Sequence, residues 1–83
     1  MARIIECKRK NIIGKNLKKA RIAAQLSQKE LAVKLETVAV YVCRGSISRI
    51  ESGERTVTDI EVWGFSKVLN ISIADLFMPD LPD

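Results

Sequence analysis

Two tetrapeptides, Ser27-Gln28-Lys29-Glu30 and Thr58-Asp59-Ile60-Glu61, constrain the fold of this chain more than anything else in it. Each is a capping box, in which a hydroxyl and a carboxylate three residues on satisfy free N–H groups at a helix start. The apolar spacing around them keeps the helical period. Ile13, Leu17, Ala20 and Ala24 share one face of a first helix whose other face carries Lys15, Lys18, Lys19 and Ala23. A second helix begins at Gln28 and turns Leu31, Ala32 and Leu35 inward. Ile47 and Ile50, followed by Ser52-Gly53, predict a two-turn helix over about 44–52 that stops at the glycine. The helix opened by Thr58 carries an inward stripe of Val62, Phe65, Ser66 and Leu69. Ser72 with Asp75 then caps a brief fifth helix containing Leu76 and Phe77, which Met78-Pro79 ends. The expected fold is all-α: five short helices in a compact bundle.

Length and charge narrow what such a bundle does. Its 83 residues leave room for one domain, close to the lower limit at which a single apolar core suffices. Residues 1–55 hold 13 of the 14 Lys and Arg against five acids, a net +8, whereas residues 56–83 set Lys67 against five acids, a net −4. A positive field on one side of a small body is the footprint of a nucleic-acid or anionic-surface binder, or else an ordinary solvated surface with uneven charge. The longest apolar run, Val38 to Cys43, is six residues, far short of the roughly 20 a membrane span needs. The opening MARIIECKRK has neither an apolar h-region nor a cleavage site, so the expected location is cytoplasmic. Cys7 and Cys43 in a chain without histidine suggest neither a zinc site nor a disulfide framework, only reduced thiols. No metal or cofactor is expected. The absence of histidine, of a paired-carboxylate site and of a phosphate-cradling glycine loop argues against an enzyme.

A capped helix, a connection and a two-turn helix apolar on one side only make the plan of a helix-turn-helix, whose second helix lies in the major groove. LKKARIAAQLSQKELAVKL, then SISRIESGER, then ISIADLF resemble the Cro/repressor class of bacterial helix-turn-helix regulators, also called XRE-like and typified by lambda repressor. The resemblance runs from Ile13 to Phe77. It implies a five-helix DNA-binding domain over 11–78, a basic N-terminal segment over 1–10 and an acidic tail over 79–83. It also implies transcription regulation, most simply repression, by a homodimer on a palindromic double-stranded operator.

Carried over by position, the resemblance places Arg44, Gly45, Ser48 and Arg49 on the base-reading face of the third helix. Arginine there can bond guanine O6 and N7 together, although phosphate contact is the alternative for each. Ser27, Gln28 and Lys29 match the helix start that meets a phosphate, where backbone N–H groups and the helix dipole suit an anion. Ser52, Arg55 and Thr56 match the loop that meets the DNA backbone, with Arg55 foremost. Arg21 and Glu51 match an internal salt bridge. Arg3, Lys8, Arg9 and Lys10 either follow the DNA backbone as an arm or form a solvated tail. Trp63 is either core on a wider face or a dimer or partner surface. The second functional reading is a protein-interaction module of this fold, such as the antitoxin partner of another protein.

The pattern departs from the class between helices two and three. Relatives run from the last leucine to the first isoleucine in seven steps, but Leu35 to Ile47 here is twelve, and Glu36 replaces the turn glycine. Helix two is expected to continue for about one more turn. Val38, Val40 and Val42 would then cover the corner, with Tyr41 near the surface. The alternative is a strand, VAVYV, paired with Arg3 to Cys7.

Overall fold

The computed structural model describes residues 9–78, so Arg3, Cys7, Lys8 and the acidic tail lie outside the described residues. Five helices follow one another: α1 (Gly14–Ala23), α2 (Gln28–Glu36), α3 (Arg44–Ser52), α4 (Asp59–Leu69) and α5 (Ile73–Leu76). Among the described residues there is no strand.

Both capping boxes form as their sequence spells them. The Glu30 N–H donates to Ser27 Oγ at 3.0 Å while the Ser27 N–H donates to Glu30 Oε1 at 2.8 Å. The pair at Thr58 and Glu61 closes at 3.2 and 3.0 Å. Ser72 Oγ accepts the Asp75 N–H at 3.0 Å and opens α5.

The first four helices also end alike. One residue turns left-handed and the next N–H reaches back five residues: Leu26 to the Arg21 carbonyl past Gln25, Val40 to Leu35 past Ala39, Glu54 to Arg49 past Gly53, and Ile71 to Ser66 past Asn70. This satisfies carbonyls that a helix end otherwise leaves open. Only one of the four left-handed residues is a glycine, so Gln25, Ala39 and Asn70 accept strain of about 1 kcal/mol each at positions the surrounding fold dictates.

The core is formed by Ile13 and Leu17 of α1, Leu31 and Leu35 of α2, Ile47 and Ile50 of α3, Val62 and Phe65 of α4, and Leu76 of α5, joined by Val40 and Val42. Helix α3 packs on α1 and α2, α4 on α2 and α1, and α5 against α4 and α1. Ala24, expected inward, is exposed because α1 has already stopped. Phe77 lies beyond the end of α5 and is exposed, whereas Leu76 is buried.

The α2–α3 connection takes neither expected form. Helix α2 stops at Glu36, and the N–H groups of Thr37, Val38 and Ala39 bond carbonyls three residues back at 3.0 to 3.1 Å, a single tightened turn. Thr37 and Val38 are β-branched and fit a continuing helix poorly. Burying Val40 and Val42 supplies the competing gain, since alternation puts both on the core while Tyr41 and Cys43 face outward. Gly64 makes this packing possible: a Cβ there would lie 2.9 Å from Val40 Cγ2 and 3.2 Å from Leu35 Cδ2.

Candidate nucleic-acid interface

Helix α3 has two unlike faces. Ile47, Ile50 and Glu51 are buried, and the other side presents Arg44 and Arg49, both exposed, with Gly45 and Ser48 partly exposed between them. Among the described residues nothing lies within 4 Å of the place where a Gly45 Cβ would stand. The four residues assigned to base reading therefore share one accessible stripe of a two-and-a-half-turn helix.

Glu51 fixes how that stripe is presented. Its carboxylate accepts Arg21 Nε at 2.7 Å, Arg21 Nη2 at 3.0 Å and Gln28 Nε2 at 3.0 Å. Arg21 Nη1 also donates to the Leu26 carbonyl at 2.8 Å. The expected Arg21–Glu51 salt bridge is thus present and almost sealed from water, with side chains 11% and 4% exposed. One buried carboxylate ties α1, the start of α2 and the last turn of α3 together.

Ser27, Gln28 and Lys29 consequently stand beside the C-terminal half of α3. The Gln28 amide is turned inward onto Glu51, while Ser27 and Lys29 are exposed. The helical pattern leaves the N–H groups of Gln28 and Lys29 without a carbonyl partner inside α2. Glu30 already lies at this helix start, where the Ser27 N–H holds its carboxyl below the usual range.

The far end of α3 is held by Arg9 and Lys10, which sequence reasoning placed in the basic N-terminal segment, and by Asn11 next to them. The Lys10 N–H donates to the Gly53 carbonyl at 2.7 Å. Arg9 donates to the Ser52 and Glu51 carbonyls at 3.2 and 2.9 Å, and Asn11 Nδ2 to those of Ile50 and Arg55 at 2.9 and 2.8 Å. A cation at a helix C-terminus also suits the helix dipole. The partners lie 39 to 44 residues away in sequence, so no local pattern announces them.

Ser52 at the end of α3 and Thr56 beyond it are exposed, and Arg55 is committed to a partner that sequence reasoning missed. Its Nη1 and Nη2 donate to Glu61 Oε1 and Oε2 at 2.9 and 2.8 Å, and Nη1 also reaches the Thr56 carbonyl at 2.8 Å. The fork holds the Glu61 carboxyl below its ordinary range and raises Arg55. The planar geometry leaves other guanidinium N–H groups available. At the opposite end, Cys43 precedes α3 with its Sγ 3.5 Å from Ser46 Oγ, and donation by the Ser46 hydroxyl and N–H to the sulfur draws the exposed thiol below its ordinary value.

Trp63 lies outside this region. It is 42% exposed, with Lys67 Nζ 5.9 Å from its ring centre, and Ile60 one turn before it is 63% exposed.

A family model described as helix-turn-helix matches residues 17–76, most of the chain. No curated protein matches it.

Proposed function

Because the chain belongs to the Cro/repressor-like (XRE) helix-turn-helix family of DNA-binding transcription regulators, we propose that it binds a specific double-stranded operator through α3 and acts as a repressor. The carrying observation is the split character of α3: a buried side of Ile47, Ile50 and Glu51, and an accessible side of Arg44, Gly45, Ser48 and Arg49 with open space at Gly45 among the described residues. In this reading α3 lies in the major groove and Arg44 and Arg49 bond base edges. Gly45 lets the backbone come close, and Ser48 faces the groove between the arginines.

Phosphates flank that contact on two sides. Ser27, Lys29 and the backbone N–H groups at the start of α2 meet one strand, and Gln28 serves through its main chain because its amide is bound to Glu51. Ser52, Thr56 and the free edge of the Arg55 guanidinium meet the other, with Glu61 holding Arg55 in place. A homodimer on a palindromic operator follows from two such units related by a two-fold axis, in the cytoplasm where such DNA is found.

A second reading, an interaction module with a protein partner, draws on one feature: Ile60 and Trp63 give α4 an exposed apolar stripe. The two readings are compatible if that stripe serves dimerisation.

Selecting bound duplexes from a random library tests the first reading. A palindromic consensus should emerge, and its affinity should fall steeply with salt as bound cations are released. Equal binding of selected and random duplexes at moderate salt would leave the interaction module standing.

A further inference from the structure

We infer that the connection before α3 is a second DNA-contacting element, in which the Tyr41 hydroxyl donates a hydrogen bond to a backbone phosphate beside the bases that α3 meets. The inference rests on the DNA-binding reading of α3 and extends it to residues that the motif does not include.

Among the described residues Tyr41 is the most exposed of the large hydrophobic side chains, at 76%, yet its backbone neighbours are among the least free. Val40 and Val42 are 3% and 7% exposed and belong to the core. Val40 is seated over Gly64 of α4, where even a methyl group would collide with it. Behind it, Ala39 is locked left-handed at φ 61° by the Val40 N–H bond to the Leu35 carbonyl. The chain is thus pegged on both sides of Tyr41, and alternation aims the phenol outward on the same side as Cys43, the residue that leads into α3.

A fixed backbone with an outward phenol is well prepared for binding, because little conformational freedom remains to be lost. Among the described residues the hydroxyl has no hydrogen-bond partner. Tyrosine is a regular donor to phosphate oxygens, and such a bond gains from the ionised acceptor. Cys43 leads directly into Arg44, the first residue of the accessible stripe of α3, and in this inference a strand of DNA that meets Arg44 and Arg49 passes the phenol. A partner without phosphates would gain nothing from that alignment.

The test compares the wild-type chain with Tyr41→Phe and Tyr41→Ala on the duplex selected from a random library, by anisotropy titration, phosphate ethylation interference and thermal unfolding. Both variants should lose affinity by about tenfold, the size expected for one hydrogen bond to a charged group, with unchanged melting temperature. Ethylation interference should disappear at one phosphate outside those sensitive to Arg55→Ala. A Tyr41→Phe loss below about threefold, or an unchanged interference pattern, overturns the inference while the binding of the wild type leaves the function intact. If the wild-type chain itself fails to prefer any duplex, both fall together.

Discussion

The two ends of α3 are anchored by different physics. At its C-terminal end, Arg9, Lys10 and Asn11 bond the last carbonyls, Arg21 and Gln28 grip Glu51, and Arg55 forks onto Glu61. At its N-terminal end the attachment is apolar: Val40 and Val42 are pressed into the core and no side chain caps the helix. Hydrogen bonds fix direction, so the polar end sets the angle of the helix. Apolar pegs fix depth but leave the polar groups nearby unspent, and that is the end at which Tyr41, Arg44 and Gly45 are exposed or open. The division lets one helix be rigidly mounted and still offer donors to a ligand.

Removing Glu51 should break the polar end most severely. Glu51→Ala leaves Arg21 nearly buried without its partner, and a loss of about 3 to 5 kcal/mol is expected from urea unfolding. A loss below about 1 kcal/mol would mean that Arg21 finds water as good a partner.

The apolar end yields a smaller effect with an unusual sign. Glycine to alanine inside a helix ordinarily stabilises by roughly 0.5 to 1 kcal/mol. Here Gly64→Ala should destabilise by about 1 kcal/mol, because the new methyl meets Val40 at 2.9 Å. Adding Val40→Ala should make the Gly64→Ala change less costly, since it removes the 2.9 Å contact and leaves those at 3.2 Å, an interaction that a double-mutant cycle measures directly.

Acid sharpens the contrast further, since the polar end carries a carboxyl held below its ordinary range. Arg55 holds the Glu61 carboxyl below its ordinary value in the folded chain. Its contribution is therefore complete above the ordinary glutamate range and is lost as pH falls through the depressed folded value. Urea midpoints measured from about pH 6 to about pH 3 should fall for the wild type, and Glu61→Gln should flatten part of that slope. The smallest of these effects, it is partly screened because Arg55 is 29% exposed.

Much of this was legible in the sequence wherever the interaction is local. SQKE and TDIE name their own hydrogen bonds, and Ser52-Gly53 marks the end of α3 where the helix stops. Arg21 with Glu51 was accessible through the family resemblance, and the outward Tyr41 through the alternation of the valines. The tight turn after Glu36 was not legible, because Ala39 becomes left-handed only when Val40 is drawn into the core. Nor was the Arg55–Glu61 fork: Glu61 was already accounted for by its capping box, and its free oxygen finds Arg55 only once the turn between α3 and α4 has formed. The clasp of Arg9 and Asn11 depends on the whole fold, since it joins the first described residues to the end of α3.

If the open stripe of α3 discriminates between sequences, removing Arg44 changes which base pairs the protein prefers. Wild type and Arg44→Ala are titrated against the selected duplex and a set with each base pair changed in turn, with unfolding measured in parallel. Unchanged stability is expected, with a preference lost at one base pair by about 1 to 3 kcal/mol. An Arg44→Ala protein that keeps every base preference, or weakens equally on all duplexes, would contradict it.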